Sequence, residues 1–109
     1  MRIFLLTKTP NSERTRLCLR LVTSSDSDDA VVYLAGDGVY NLLGQEEAGE
    51  SCQAGQALAS ALPGHRIIAC REDLEARGVS AEGKATVPVD FYECLVDEMM
   101  REGSRVYSF

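Results

Sequence analysis

Short apolar runs alternate along this chain with segments whose apolar residues recur at helical spacing, and that alternation restricts the fold more than any other feature. Arg2 to Thr7 (RIFLLT), Ala30 to Ala35 (AVVYLA) and Arg66 to Cys70 (RIIAC) are dominated by apolar residues and too short for buried helices, so they read as strands covered on both faces. Lys84 to Val89 reads as a fourth, shorter strand, and Arg105 to Phe109 (RVYSF) as a fifth strand or an ordered tail. Glu13 to Val22 places Leu17, Cys18, Leu21 and Val22 on one stripe, with Asn11 or Ser12 available as cap. After the sharp turn Gly36-Asp37-Gly38 comes a short helix, Val39 to Leu43. Gln56 to Leu62 is helical and stopped by Pro63-Gly64. Glu72 to Arg77 is a short helix in which Gly78 supplies the left-handed terminus and Val79 the apolar contact after it. Asp90 caps a last helix whose Phe91, Tyr92, Leu95, Val96 and Met99 share a broad apolar face, ended by Gly103. Thr23 to Asp29 is a polar loop, and the acidic, glycine-rich Gly44 to Gly55 reads as a mobile one. Strands alternating with helices imply βαβ units and a mainly parallel sheet with helices on both sides.

With 109 residues, 45% of them hydrophobic, the chain suits one domain over residues 1–109. Eleven Lys+Arg against 17 Asp+Glu leave a net charge of −6, which repels phosphate backbones, so protein partners are expected and direct nucleic-acid contact is not. No apolar run nears the roughly 18 residues of a membrane span. The N-terminus lacks the pattern of a secretion signal, so a cytoplasmic protein with reduced thiols is expected. The four cysteines, Cys18, Cys52, Cys70 and Cys94, form no CxxC pair, and His65 is the only histidine. Neither a zinc site nor a disulfide framework is indicated, and no cofactor is expected.

Reactive groups in parallel α/β sheets gather at the carboxyl ends of strands. Of the three such places here (Thr7 to Ser12, Gly36 to Tyr40, and Cys70 with Arg71), only the third carries a nucleophile. Cys70 ends a predicted strand at the entrance of a helix, whose partial positive charge favours thiolate, as does the adjacent Arg71. Glu72 and Asp73 follow at once and act in the opposite sense, so the sequence leaves the sign open. Cys18 and Cys94 lie on or beside apolar helix faces and read as core. Cys52 lies in the acidic loop. His65 sits at the other end of the same strand as Cys70, too far for a hydrogen bond at about 3.3 Å per residue, which excludes a Cys–His dyad. A nucleotide binder is disfavoured, because Lys8-Thr9-Pro10-Asn11 after the first strand lacks the glycines of a phosphate loop.

Three stretches together resemble a known family. They are Asp37-Gly38-Val39-Tyr40, then Cys70 followed by Asp73-Leu74-Glu75-Ala76-Arg77-Gly78-Val79, and the aromatic end Val106-Tyr107-Ser108-Phe109. They resemble the DsrE/DsrF/DsrH group of small sulfur-relay proteins, which includes the TusB, TusC and TusD subunits, and are most similar to the DsrH/TusB branch. The resemblance implies a flavodoxin-like three-layer α/β/α fold with a mainly parallel five-stranded sheet and assembly into homo- or hetero-oligomers of related subunits. It implies that Cys70 accepts persulfide sulfur from a donor protein and passes it to an acceptor, in tRNA 2-thiouridine synthesis or dissimilatory sulfur metabolism, with Arg71 steadying the anion. The alternative is a non-catalytic structural subunit that docks partners through Tyr40, Tyr107 and Phe109. The DsrH/TusB branch often lacks the junction cysteine, and this chain keeps it.

Overall fold

The computed structural model describes residues 1–43, 64–81 and 83–109. Four strands, β1 (Arg2–Leu6), β2 (Ala30–Leu34), β3 (Arg66–Ala69) and β4 (Arg105–Ser108), form one sheet in the order β3-β2-β1-β4. All three pairings are parallel, with Ile3 opposite Val31 and Val106, and Val32 opposite Ile67. Helix α1 (Glu13–Thr23) joins β1 to β2, and helices α2 (Arg71–Arg77) and α3 (Phe91–Met99) join β3 to β4. This is an α/β fold with a parallel sheet, compatible with the flavodoxin-like architecture.

Side-chain alternation along the strands sorts the core into two layers. Phe4, Leu6, Val32, Leu34, Ile67 and Ala69 point to one face, where Cys18, Leu19 and Val22 of α1 and Leu74 of α2 cover them. Ile3, Val31, Tyr33 and Ile68 point to the other, where α3 covers them with Phe91 and Leu95. β2 is buried along its whole length, as a central strand of a two-sided sheet must be.

The expected sheet of five strands is corrected to four among the described residues. The Lys84–Val89 segment makes only a one-residue bridge. The Ala69 N–H donates to the Thr86 carbonyl at 2.9 Å, and the Thr86 N–H donates to that of Ile67 at 2.8 Å. Pro88, two positions on, has no N–H with which to extend the ladder. The aromatic C-terminus does pair, on the opposite edge beside β1.

Two helix faces also differ from their expected registers. On α1 the buried set is Thr15, Cys18, Leu19 and Val22, whereas Leu17 and Leu21 are substantially exposed. On α3 Phe91, Leu95 and Glu98 are buried and Cys94 packs partly against the same cluster. Tyr92, Val96 and Met99 stand in solvent. Ser12 caps α1 through its hydroxyl, which accepts from the Arg14 N–H. Asp90 occupies the cap position of α3 without a capping bond. Gly36–Leu42 is one continuous 3₁₀ helix rather than a turn followed by a helix. The acidic Gly44 to Gly55 segment with Cys52, and the helix expected over Gln56 to Leu62, lie outside the described residues.

Candidate functional site

The parallel ladder delivers Cys70 to the carboxyl edge of the sheet. Its N–H donates to the Leu34 carbonyl at 3.0 Å, which continues β3 against β2 by one residue. Its own carbonyl accepts from the Leu74 N–H at 3.0 Å and starts α2. Cys70 is therefore both the last rung of a strand and the cap residue of a helix, as the apolar run ending at a charged segment predicts.

The two stretches DGVY and DLEARG interlock beside it. The Asp73 carboxylate accepts from the Gly36 N–H at 2.8 Å, tying α2 to the turn after β2. Arg77 donates to Asp37 at 3.1 Å and to Asp73 at 3.4 Å, and its guanidinium lies 6.0 Å from the centre of the Tyr40 ring. Gly38 is packed so closely on β1 that a Cβ there would run into the Leu6 carbonyl. Gly78 ends α2 with φ 65°, and the Val79 N–H returns to the Leu74 carbonyl. These residues have a structural account: they clamp two strand ends around the Cys70 junction. Tyr40 belongs to the clamp and packs on the core.

The thiol itself is closed. Cys70 is 1% exposed and shares an apolar cluster with Phe91 and Leu95. It borders a cleft of ≈ 300 Å³ lined by Glu72, Asp73 and the segment Val89 to Glu93. Four of the lining side chains are carboxylic acids. The Cys70 Sγ–H donates to Glu72 Oε2 at 3.3 Å. Burial is the main reason its pKa is pushed up to about 11, and the Asp73 and Glu72 carboxylates add to it, against one backbone N–H of Asp73 that favours the anion. Arg71 gives no help. Its guanidinium pairs with Glu75 at 3.4 Å along the exposed side of α2. Arg71, expected beside a Cys70 thiolate, is turned along its own helix toward the residue four positions on.

The other candidates fall elsewhere. Phe109 is a core residue, 7% exposed, its ring stacked 6.3 Å from Phe4 with the Arg14 guanidinium 5.7 Å from its centre. Its carbonyl accepts from both the N–H and the hydroxyl of Thr7. Phe109, expected as a partner-docking residue, packs into the chain's own core just past the end of β4. Tyr107 is half-buried and stacks on Phe4 at 5.3 Å. Cys18 is fully buried, and burial pushes its thiol up to about 12. Cys94 is half-buried and donates to Asp90. His65 Nε2 lies 3.3 Å from the Ser25 carbonyl, at the opposite end of β3 from Cys70.

Two features escaped the sequence reading. Glu98 is 4% exposed, accepts from Arg66 at 2.7 Å and from the Tyr33 hydroxyl at 3.2 Å, and anchors the end of α3. Its position seven residues after Phe91 and three after Leu95 was the available signal, since that spacing puts it on the inward stripe. The second is the outward row of Tyr92, Val96, Met99 and Met100, continued by Val89, all between 42% and 81% exposed. Among the described residues this is the largest run of uncovered apolar side chains on one element.

The sequence model described as "DsrH like protein" matches residues 8–104. The chain belongs to the DsrH family. Membership of this family points to sulfur relay in general and to complexes of related subunits. No curated protein sequence matches the chain. Its fold is similar to that of the crystal structure of the ychN protein from E. coli, with a TM-score of 0.74 over 99% of this chain and 97% of that one. The two are 19% identical, so the likeness is one of fold. No helix among the described residues is long and apolar enough to cross a membrane.

Proposed function

We propose that this DsrH-family chain is an assembly subunit of a sulfur-relay hetero-oligomer of the DsrEFH/TusBCD type, and that on its own it is not a persulfide carrier. The observation that carries the reading is the closed Cys70 thiol: buried, hydrogen-bonded to Glu72 and faced by carboxylates. Carrier chemistry needs the opposite. A thiolate attacks the outer sulfur of a donor persulfide R–S–SH, the new Cys–S bond forms as the S–S bond breaks, and RS⁻ leaves. Cys70 presents little thiolate near neutral pH, and the acidic cleft opposes an anionic persulfide held there. The uncovered row on α3 is the surface through which subunits would dock, with Tyr92 as its aromatic anchor.

The test is relay by the assembled complex with Cys70→Ala in place of the wild-type chain. Retained activity is expected, together with no gain of sulfur on the isolated wild-type chain incubated with a persulfide donor. One added sulfur per chain, lost in Cys70→Ser, would overturn the reading. That result would support carriage at Cys70 toward tRNA 2-thiouridine or dissimilatory sulfur metabolism, a second reading favoured by the position of Cys70 on the wall of an open cleft.

A further inference from the structure

We infer that α3 is a detachable cover over Cys70: the thiol becomes reactive through a local opening in which α3 leaves the sheet while the opposite face of the fold stays packed. The inference rests on the closed-thiol reading above and adds the element that closes it.

Three observations carry it. First, α3 provides the apolar lid. Phe91 and Leu95 are the only buried apolar residues that α3 contributes to the cluster holding Cys70, and the N-terminal end of α3 forms one wall of the cleft. Second, α3 is lightly held. Nine residues long, it is too short to be helical in isolation, so its structure depends on docking. Docking uses two buried apolar side chains, the partly buried Cys94, whose carbonyl accepts from the Tyr33 hydroxyl at 3.4 Å, and one polar cluster, Glu98 with Arg66 and Tyr33, in which the second carboxylate oxygen of Glu98 is buried without a partner. Its cap residue makes no capping bond, and Tyr92, Val96 and Met99 remain 42–61% exposed in the docked position. Third, the other layer is built differently. α1 buries Thr15, Cys18, Leu19 and Val22 against a larger cluster, and the Thr15 hydroxyl bonds the Thr9 carbonyl at 2.7 Å. Proteins open in units of unequal stability, and the element with fewer buried apolar contacts opens first.

Cys18, sealed under α1, is the internal control. The experiment is alkylation of the native chain with iodoacetamide, an uncharged reagent, at one fixed pH over a series of sub-denaturing urea concentrations. Peptide mass mapping resolves each cysteine. With rates corrected for thiolate fraction, Cys70 is expected to react at least about tenfold faster than Cys18 and with a shallower urea dependence, because its opening exposes less surface. Leu95→Ala should raise the Cys70 rate at least about tenfold, since the opened state no longer forfeits that contact. Val22→Ala should accelerate Cys18 and leave Cys70 within about twofold. Equal rates and equal urea slopes for the two cysteines would overturn the inference in favour of global unfolding. A Cys70 rate indifferent to Leu95→Ala would overturn it in favour of direct entry through the cleft. Neither result depends on relay activity, so this inference and the assembly-subunit reading can fail separately. The urea slopes need only the wild-type chain and stand even where a variant does not fold.

Discussion

Truncating Phe109 to alanine should cost stability, and the magnitude follows from its surroundings. The ring is 7% exposed, stacks 6.3 Å from Phe4 and packs in the larger of the two core layers. Core Phe→Ala substitutions cost about 3–5 kcal/mol, the spread reflecting how far the site collapses or fills with water. Here one side of the ring meets the exposed Arg14, whose stem can settle into part of the space, so the lower end, about 3 kcal/mol, applies. The backbone bonds of Phe109 to Leu5 and Thr7 survive the substitution. With a urea m-value of about 1.5 kcal/mol/M for a chain of this size, the unfolding midpoint should fall by about 2 M. The assay is equilibrium urea denaturation followed by circular dichroism, with light scattering at zero urea. A midpoint shift below about 0.5 M accompanied by loss of an oligomer would refute the reasoning, since it would mean that the ring binds a neighbour instead of its own core.

Other outcomes are fixed by the same structure. Gly38→Ala should destabilise by about 3 kcal/mol, because its Cβ meets the Leu6 carbonyl. Gly36→Ala, with φ 54° and open space around it, should cost only about 1 kcal/mol; thermal melts of the two distinguish them. Cys18 gives an alkaline limit. Its folded pKa is about 12 against an ordinary 9.0, so its contribution is fully present below about pH 9 and is lost as pH rises toward about 12. At about 1.36 kcal/mol per unit, the three units amount to about 4 kcal/mol. Cys18→Ala should therefore flatten, though not abolish, the fall in urea midpoint above pH 9, since Cys70 contributes in the same direction. Glu72→Gln replaces the charged acceptor of the Cys70 Sγ–H with a neutral amide, and should speed Cys70 alkylation by less than about tenfold, because the larger cause, burial, stays.

The parallel α/β character was legible because β1, β2 and β3 are unbroken apolar runs, and only a sheet covered on both faces needs such strands. The Cys70 junction was legible for a related reason: the apolar run ends where REDLEAR begins, and a strand passing directly into a helix leaves one residue at the hinge. Gly78 and Val79 ended α2 as expected, because a left-handed terminus is a local property. Failures came where a neighbour decides. Leu17 and Val96 suit an inward face as well as Leu19 and Leu95 do, and only the position of the sheet selects between stripes one residue apart on the helix. The Lys84–Val89 run has strand composition but gained one bridge, because pairing depends on what lies beside it. The sign of the Cys70 shift could not be read either. Arg71 and Glu72 are equally near in sequence, yet one turns to Glu75 and the other to the sulfur.

The central claim, that the junction thiol is held protonated, is tested most directly by the rate of Cys70 alkylation as a function of pH in the folded chain. The account predicts a rate still climbing through pH 9 and an apparent pKa near 11. A plateau reached by neutral pH, with a pKa below the ordinary thiol value, would contradict it and make Cys70 a standing thiolate.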